Sequence, residues 1–170
     1  MGMVSFTNDN CKFNFRAGAF ILKDHTKILL YRITKVNYWA LPGGRVDLWE
    51  DSAFSLKREF EEEFGITIKN LKLKMVCENF IKNCSLTEPD MIKHELHFNY
   101  IAEVKEKEKI SAEEFYGLEG TDYMYKWFNV SELKNINFAY NQVVDEVIKI
   151  IKGKKGITHL INIDDNQNRI

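Results

Sequence analysis

Four glutamates fall within five consecutive residues of this chain: Glu59, Glu61, Glu62 and Glu63, with Arg58 immediately before them and Gly65 just after. Glu59, Glu62 and Glu63 are spaced i, i+3, i+4, so on a helix their side chains are neighbours. Like charges four apart cost roughly 0.2–0.5 kcal/mol in water. At the edge of a core, with an effective dielectric near 20, the repulsion at 4 Å rises to about 4 kcal/mol. Such a cluster calls for positive charge. Hard divalent cations prefer carboxylate oxygens, and Mg²⁺ is commonly held by few protein ligands together with substrate phosphates. The chemistry that fits is hydrolysis of a phosphate anhydride. Cations would neutralise the diphosphate and acidify a bound water, and a neighbouring carboxylate would accept its proton. An acidic run by itself is also compatible with a plain solvated helix face.

The elements that must position these acids are legible around them. Asp51 or Ser52 can cap a helix start by accepting an orphan N–H, and Gly65 suits the left-handed position past its end. Ala53, Leu56, Phe60 and Phe64 recur at helical spacing as one apolar stripe, flanked by Glu59 and Glu63. Before the helix, Tyr38 to Leu41 reads as a short strand broken by Pro42-Gly43-Gly44. The two glycines let backbone approach whatever the carboxylates hold.

Gly44 to Ile66 reads G-x5-E-x7-R-E-U-x-E-E-x-G-U, with U apolar: Gly44, Glu50, Arg58, Glu59, Phe60, Glu62, Glu63, Gly65 and Ile66. This resembles the Nudix box at every position. Seven positions are fixed to one residue type, which at about 7% usage each is met by chance roughly once in 10⁸ starts. The flanks RAGAFILKD, KILLYRI, YWALPGG and HELHFNYIAEV also look like Nudix strands. The resemblance implies an α/β Nudix fold, an α/β/α sandwich around a mixed β-sheet. It implies that Glu59, Glu62 and Glu63 hold Mg²⁺ or Mn²⁺, with Glu59 or Glu63 doubling as base. The backbone carbonyl of Gly44 would touch a metal, and Arg58 would orient a carboxylate by a bidentate pair. Glu50 is either a further ligand or a salt-bridged loop acid. In such proteins a glutamate beyond the box often serves as base or extra ligand. Glu95 is the candidate here, against the plain alternative of an exposed strand acid.

The rest of the chain is read as one domain over residues 1–152, followed by a tail, 153–170, that the resemblance does not reach. Arg16–Leu22 and Lys27–Ile33 form a hairpin turning at Asp24-His25. Leu71–Phe80, Lys93–Val104 and Tyr123–Val130 read as strands, with a bend at Asn70. Alternation places Leu96, Phe98, Tyr100 and Ala102 on one face of the Lys93–Val104 strand, and Glu95, His97, Asn99 and Glu103 on the other. A second helix is expected over Tyr140–Ile151, with Val143, Val144, Val147, Ile148 and Ile151 as its core stripe and Gly153 at its end. Residues 82–92 read as a polar loop, and 105–120 as a long charged connection. The tail Ile157–Asp164 adds an edge strand, pairs with a second copy as a homodimer, or frays.

Arg16 and Arg32 read as phosphate binders or, equally, as surface residues; Trp39, Phe80 and Tyr31 read as a stacking platform for a base or, more often for such residues, as core. His94 and His97 read as satisfied polar residues rather than ligands. A formal net charge of −1 over 170 residues offers no general attraction to nucleic acid or anionic lipid. No apolar run is long enough to span a membrane, and no signal peptide is apparent. Cys11, Cys77 and Cys84 lack a CxxC pattern and read as free thiols of a cytoplasmic protein, without a zinc site. The expected partner is a small nucleotide. The expected reaction is cleavage of a diphosphate linkage, with a nucleoside triphosphate preferred as substrate. The alternatives are an ADP-ribose or nucleotide-sugar pyrophosphatase, or a Nudix domain that senses nucleotides without turnover.

Overall fold

The computed structural model describes residues 2–82 and 90–164. Cys84, Pro89 and most of the loop expected at 82–92 lie outside them. The axis of the fold is one thirteen-residue strand, β2 (Cys11–Lys23). Along one edge it pairs in parallel with β6 (Ile92–Val104), from Cys11 opposite Ile92 to Ile21 opposite Ala102. Along the other edge three strands succeed one another, all antiparallel: β1 (Ser5–Asn8), β4 (Gly43–Arg45) and β3 (Lys27–Ile33). Only Leu22 and Lys23 pair with β3, so β3 diverges from β2 and opens a cleft between them. β3 carries β8 (Tyr123–Asn129), which carries β7 (Glu114–Tyr116). Beyond β6 lies β5 (Ile68–Ile81), antiparallel, and then β9 (Thr158–Asp164), parallel to β5 at the edge. The sheet is mixed, in the order β7-β8-β3-β2-β6-β5-β9.

Strand alternation sorts the apolar residues into two cores. Ala17, Ala19, Leu29, Tyr100 and Ala102 join Leu56, Phe60 and Phe64 of helix α1 (Ser52–Phe64). Phe20, Ile28, Leu30, Met75 and Cys77 join Val147, Ile150 and Ile151 of helix α2 (Val144–Ile151). One helix therefore covers each face of the sheet. Ile28, Leu29 and Leu30 are all fully buried, which is why that run is apolar without alternation. Asp51 caps α1, accepting from the N–H groups of Ala53 and Phe54 at 3.0 and 2.8 Å. Gly65 closes it in the left-handed region at φ 61°. Each of Leu56, Phe60 and Phe64 contributes about 1.5–3 kcal/mol by burial, which fixes the rotation of the acidic face.

Four expectations are corrected. Gly43 and Gly44 do not break a strand; they form β4 against Ala17 and Gly18. Residues 38–41 make isolated bridges rather than a strand, Ala40 with Tyr31 and Trp39 with Phe138. The second helix begins at Val144, preceded by a 3-10 turn at Asn141–Val143, and its buried residues include Ile150, absent from the expected stripe. β2 begins at Cys11 rather than Arg16. Asn70 does mark an irregularity: it has φ 55°, and the β5–β6 register shifts around it. Among the described residues no helix is long and apolar enough to cross a membrane.

Candidate active site

The acidic face of α1 is organised by Arg58. Its guanidinium donates from Nε and Nη2 to the Glu50 carboxylate at 3.2–3.3 Å, and from Nη1 to Glu59 and to Glu62, both at 3.0 Å. Nη2 also reaches the Ser55 hydroxyl at 3.2 Å. One cation thus spans three carboxylates, and planar fork geometry is what permits this. Glu61 and Glu62 are exposed, Glu59 is half-buried, and Glu63 is buried. Gly44 lies directly against Glu59: a Cβ there would run into the carboxylate. Any other residue at 44 would push Glu59 away.

Glu63 has the most unusual environment of these acids. Its side chain is buried, and Oε2 has neither solvent nor a hydrogen-bond partner. Burial, with the nearby Glu59 and Glu119 charges, pushes its pKa up to about 8. Burial also raises Glu59, with Arg58 working against the shift. Among the described residues no three Asp, Glu, His or Cys side chains converge closely enough to coordinate one ion in this arrangement, since Arg58 draws Glu59 and Glu62 toward itself. The donor set still suits a hard cation: three carboxylates on one helix, an orphaned buried oxygen on Glu63, and a glycine backbone against Glu59.

The cleft where β3 leaves β2 forms a cavity of about 220 Å³, lined by residues that include Arg16, Tyr31, Asn79, Glu95, Asn99 and Tyr140. Arg16 links cavity and helix. Its Nη2 donates to the Tyr31 hydroxyl at 3.3 Å, and its charge lowers the pKa of Glu59, Glu63 and Glu95 together. The guanidinium makes no ion pair among the described residues and is open to a phosphate. Glu95 is buried at 8% exposure, not exposed. One oxygen accepts from Asn14 Nδ2 at 3.0 Å and the other meets His97 Nε2 at 2.9 Å, while His97 Nδ1 meets the Tyr140 hydroxyl at 2.6 Å. Burial alone would raise the Glu95 pKa, but the His97 bond and charge, Arg16 and Lys93 outweigh it and hold the carboxyl well below its ordinary range.

The structure therefore brings together Arg58, Glu59, Glu62, Glu63 and Gly44, with Arg16 bridging to Glu95. It places the others elsewhere. Arg32 stacks over Trp39 at 4.9 Å and Trp39 packs edge-on against Phe128, so neither lines the cavity. Phe80 stacks on His94 at 4.4 Å, outside the cavity lining. Sequence reading missed Asn79, Asn99 and Tyr140 as lining residues. For Asn99 the signal was present, because alternation put it on the face of Glu95 and His97. Asn79 and Tyr140 depend on long-range pairing that spacing does not reveal.

Comparison with known proteins agrees with this geometry. The NUDIX domain model matches residues 12–147. A Buchnera aphidicola protein named 8-oxo-dGTP diphosphatase is 32% identical over 144 residues, covering 81% of this chain and 95% of that protein. A Bacillus subtilis protein named uncharacterized Nudix hydrolase YvcI is 28% identical, covering 70% of this chain and 68% of that one. In three dimensions, the crystal structure of a MutT mutator protein from Bacillus halodurans superposes with a TM-score of 0.60 at 19% identity, over 89% of this chain and 92% of that one. The fold, the matched segment and the acidic helix agree: this chain belongs to the Nudix family and is a Nudix hydrolase.

Proposed function

We propose that this protein hydrolyses a nucleoside triphosphate to the monophosphate and pyrophosphate, with Mg²⁺ or Mn²⁺ as cofactor. The observation that carries the reading is the α1 face itself. Glu59 sits against Gly44, Glu62 shares Arg58 with it, and Glu63 keeps a buried, unpartnered oxygen. The Gly44 carbonyl and Glu59, Glu62 and Glu63 would hold the divalent ions. When bound, these ions supply charge neutralisation of the diphosphate and a water of lowered pKa. Arg58 positions the acids, keeping Glu59 and Glu62 on one side of the helix. Glu59 or Glu63 accepts the proton of the attacking water. Arg16 binds a phosphate oxygen at the cavity mouth, and the cavity seats one base. Glu95 orients His97 and Tyr140 instead of acting as base, because both its oxygens are engaged and a carboxyl with so low a pKa is a poor proton acceptor. The Buchnera relative, named 8-oxo-dGTP diphosphatase, supports a triphosphate over a nucleotide sugar.

The test is a product-resolved screen of nucleoside triphosphates, nucleotide sugars and dinucleotides with Mg²⁺ or Mn²⁺. The expected result is monophosphate plus pyrophosphate, abolished by chelator. Nucleotide binding in the presence of metal without cleavage of any compound would overturn hydrolysis in favour of a sensor.

A further inference from the structure

The last strand, β9, begins beyond the residues that the family model matches, and it places one polar side chain inside the fold. Asn162 faces inward opposite Asn79 of β5 and is fully buried. Its Nδ2 donates to Asn79 Oδ1 at 2.6 Å and to the Ala139 carbonyl at 3.2 Å, while its Oδ1 has no partner. Burying an amide with one end unsatisfied costs free energy that an apolar residue would not. Its neighbour on the same face, Leu160, packs in the α2-side core and already anchors the strand. Holding β9 in place therefore does not require an amide at 162.

What the amide grips is the cavity wall. Asn79 and Ala139 both line the cavity, and so does Tyr140, the next residue after Ala139. Asn79 stands opposite Glu95 across β5 and β6. Tyr140 meets His97, His97 meets Glu95, and Glu95 accepts from Asn14. The polar chain thus runs from the edge strand, through the segment preceding α2, to the floor of the cleft. A shift of Ala139 by a few tenths of an ångström would be passed to Tyr140 and His97, because the intervening groups are close-packed.

We propose that Asn162 is a positioning residue for substrate specificity: through Asn79 and the Ala139 carbonyl, β9 sets the wall that selects the base of the nucleotide. The inference rests on the reading that this cavity seats a nucleobase. The experiment compares wild type, Asn162→Ala and Leu160→Ala in Kd and KM for a panel of purine and pyrimidine nucleoside triphosphates, alongside thermal unfolding. Asn162→Ala is expected to raise Kd and KM for the preferred nucleotide about tenfold and to compress its preference over other bases, with kcat changed less than threefold. Leu160→Ala is expected to lower Tm while leaving the base ranking intact. Asn162→Asp keeps the volume but replaces the donating nitrogen with oxygen. It is expected to reproduce the specificity change, and it serves in place of the alanine variant should that fail to fold. Unchanged Kd and base ranking in the folded Asn162 variant, whatever its Tm, would overturn the proposal. Nucleotide binding without turnover by wild type would overturn the hydrolytic reading alone, leaving the Kd comparison to judge Asn162.

Discussion

Glu63 and Glu95 are both glutamates, both more than nine-tenths buried, and both within the influence of Arg16. They are pushed in opposite directions. Glu63 is raised because burial meets the negative charges of Glu59 and Glu119, which outweigh the opposing Tyr125 hydroxyl and Arg16. Glu95 is lowered because Asn14 and His97 satisfy both oxygens and cations stand nearby. The difference separates an acid whose charge is answered within the fold from one whose charge is not. A carboxylate of the second kind is the one that a cation from outside can stabilise.

That contrast is broken most severely on the α1 side. Glu62→Gln and Glu63→Gln are each expected to lower kcat by about 10²–10⁴, the range typical of losing a group that acts in the transition state, with an unchanged fold by circular dichroism. Turnover within a fewfold of wild type in both would remove these residues from the metal and catalytic assignment.

The second effect is on stability against pH. The folded pKa of Glu63, about 8, lies above its unfolded value. The folded state therefore holds its proton more tightly, and the stabilisation is fully present below the unfolded pKa and lost as pH rises through the folded one. At about 1.4 kcal/mol per pK unit, the metal-free protein should lose up to about 4 kcal/mol between pH 5 and pH 8. Saturating Mg²⁺ should cancel the loss, and Glu63→Gln should abolish the slope. Glu95 contributes little slope in that window, being ionised in both states. Thermal unfolding at fixed ionic strength reads the outcome, and a metal-free Tm that is flat or rising from pH 5 to 8 would contradict the Glu63 environment.

The two acids were not equally legible in the sequence. Glu63 belongs to a local pattern: the i, i+3, i+4 spacing, the Asp51 cap, the Gly65 stop and the Leu56–Phe60–Phe64 stripe all lie within one helix, where sequence distance maps directly onto space. Alternation on the Lys93–Val104 strand placed Glu95, His97 and Asn99 on a common face. It gave no sign that this face was covered, because the cover comes from Tyr140, from Arg16 and, through Asn79, from Asn162. Gly43 and Gly44 misled for a related reason. Their composition signals a break, yet both pair with β2: a Cβ at 43 would run into the Ala17 carbonyl of β2, and one at 44 into the Glu59 carboxylate. Arg32 and Trp39 had the right chemistry for a ligand but stack on each other outside the cavity lining.

A third measurement sharpens the comparison from the Glu95 side. Glu95→Ala removes the acceptor from Asn14 and His97 at once, and breaking a buried, paired charge costs about 3 kcal/mol. At the scale expected for a chain of this size, that is about 6–12 °C in Tm. Glu63→Gln should cost far less, since burial already disfavours the Glu63 charge and its Oε2 has no partner to lose. Equal losses in the two variants would erase the distinction between an internally satisfied acid and a frustrated one.

The smallest effect divides the two candidate phosphate-binding arginines. Arg16 lies at the junction of the cavity and the acidic helix and donates to the phenolic hydroxyl of Tyr31. Arg32 packs its guanidinium on Trp39, leaves Nε buried without a partner, and does not line the cavity. Arg16→Ala should therefore raise KM about tenfold, equivalent to about 1.4 kcal/mol of lost phosphate binding. Arg32→Ala should leave KM within twofold and act on Tm, because it removes a stacking contact worth about 0.5–2 kcal/mol. Steady-state kinetics on the preferred nucleotide separates them. A KM shift in Arg32→Ala as large as that in Arg16→Ala would mean that the phosphate chain runs along the far side of β3, and the substrate path proposed through the cleft would have to be redrawn.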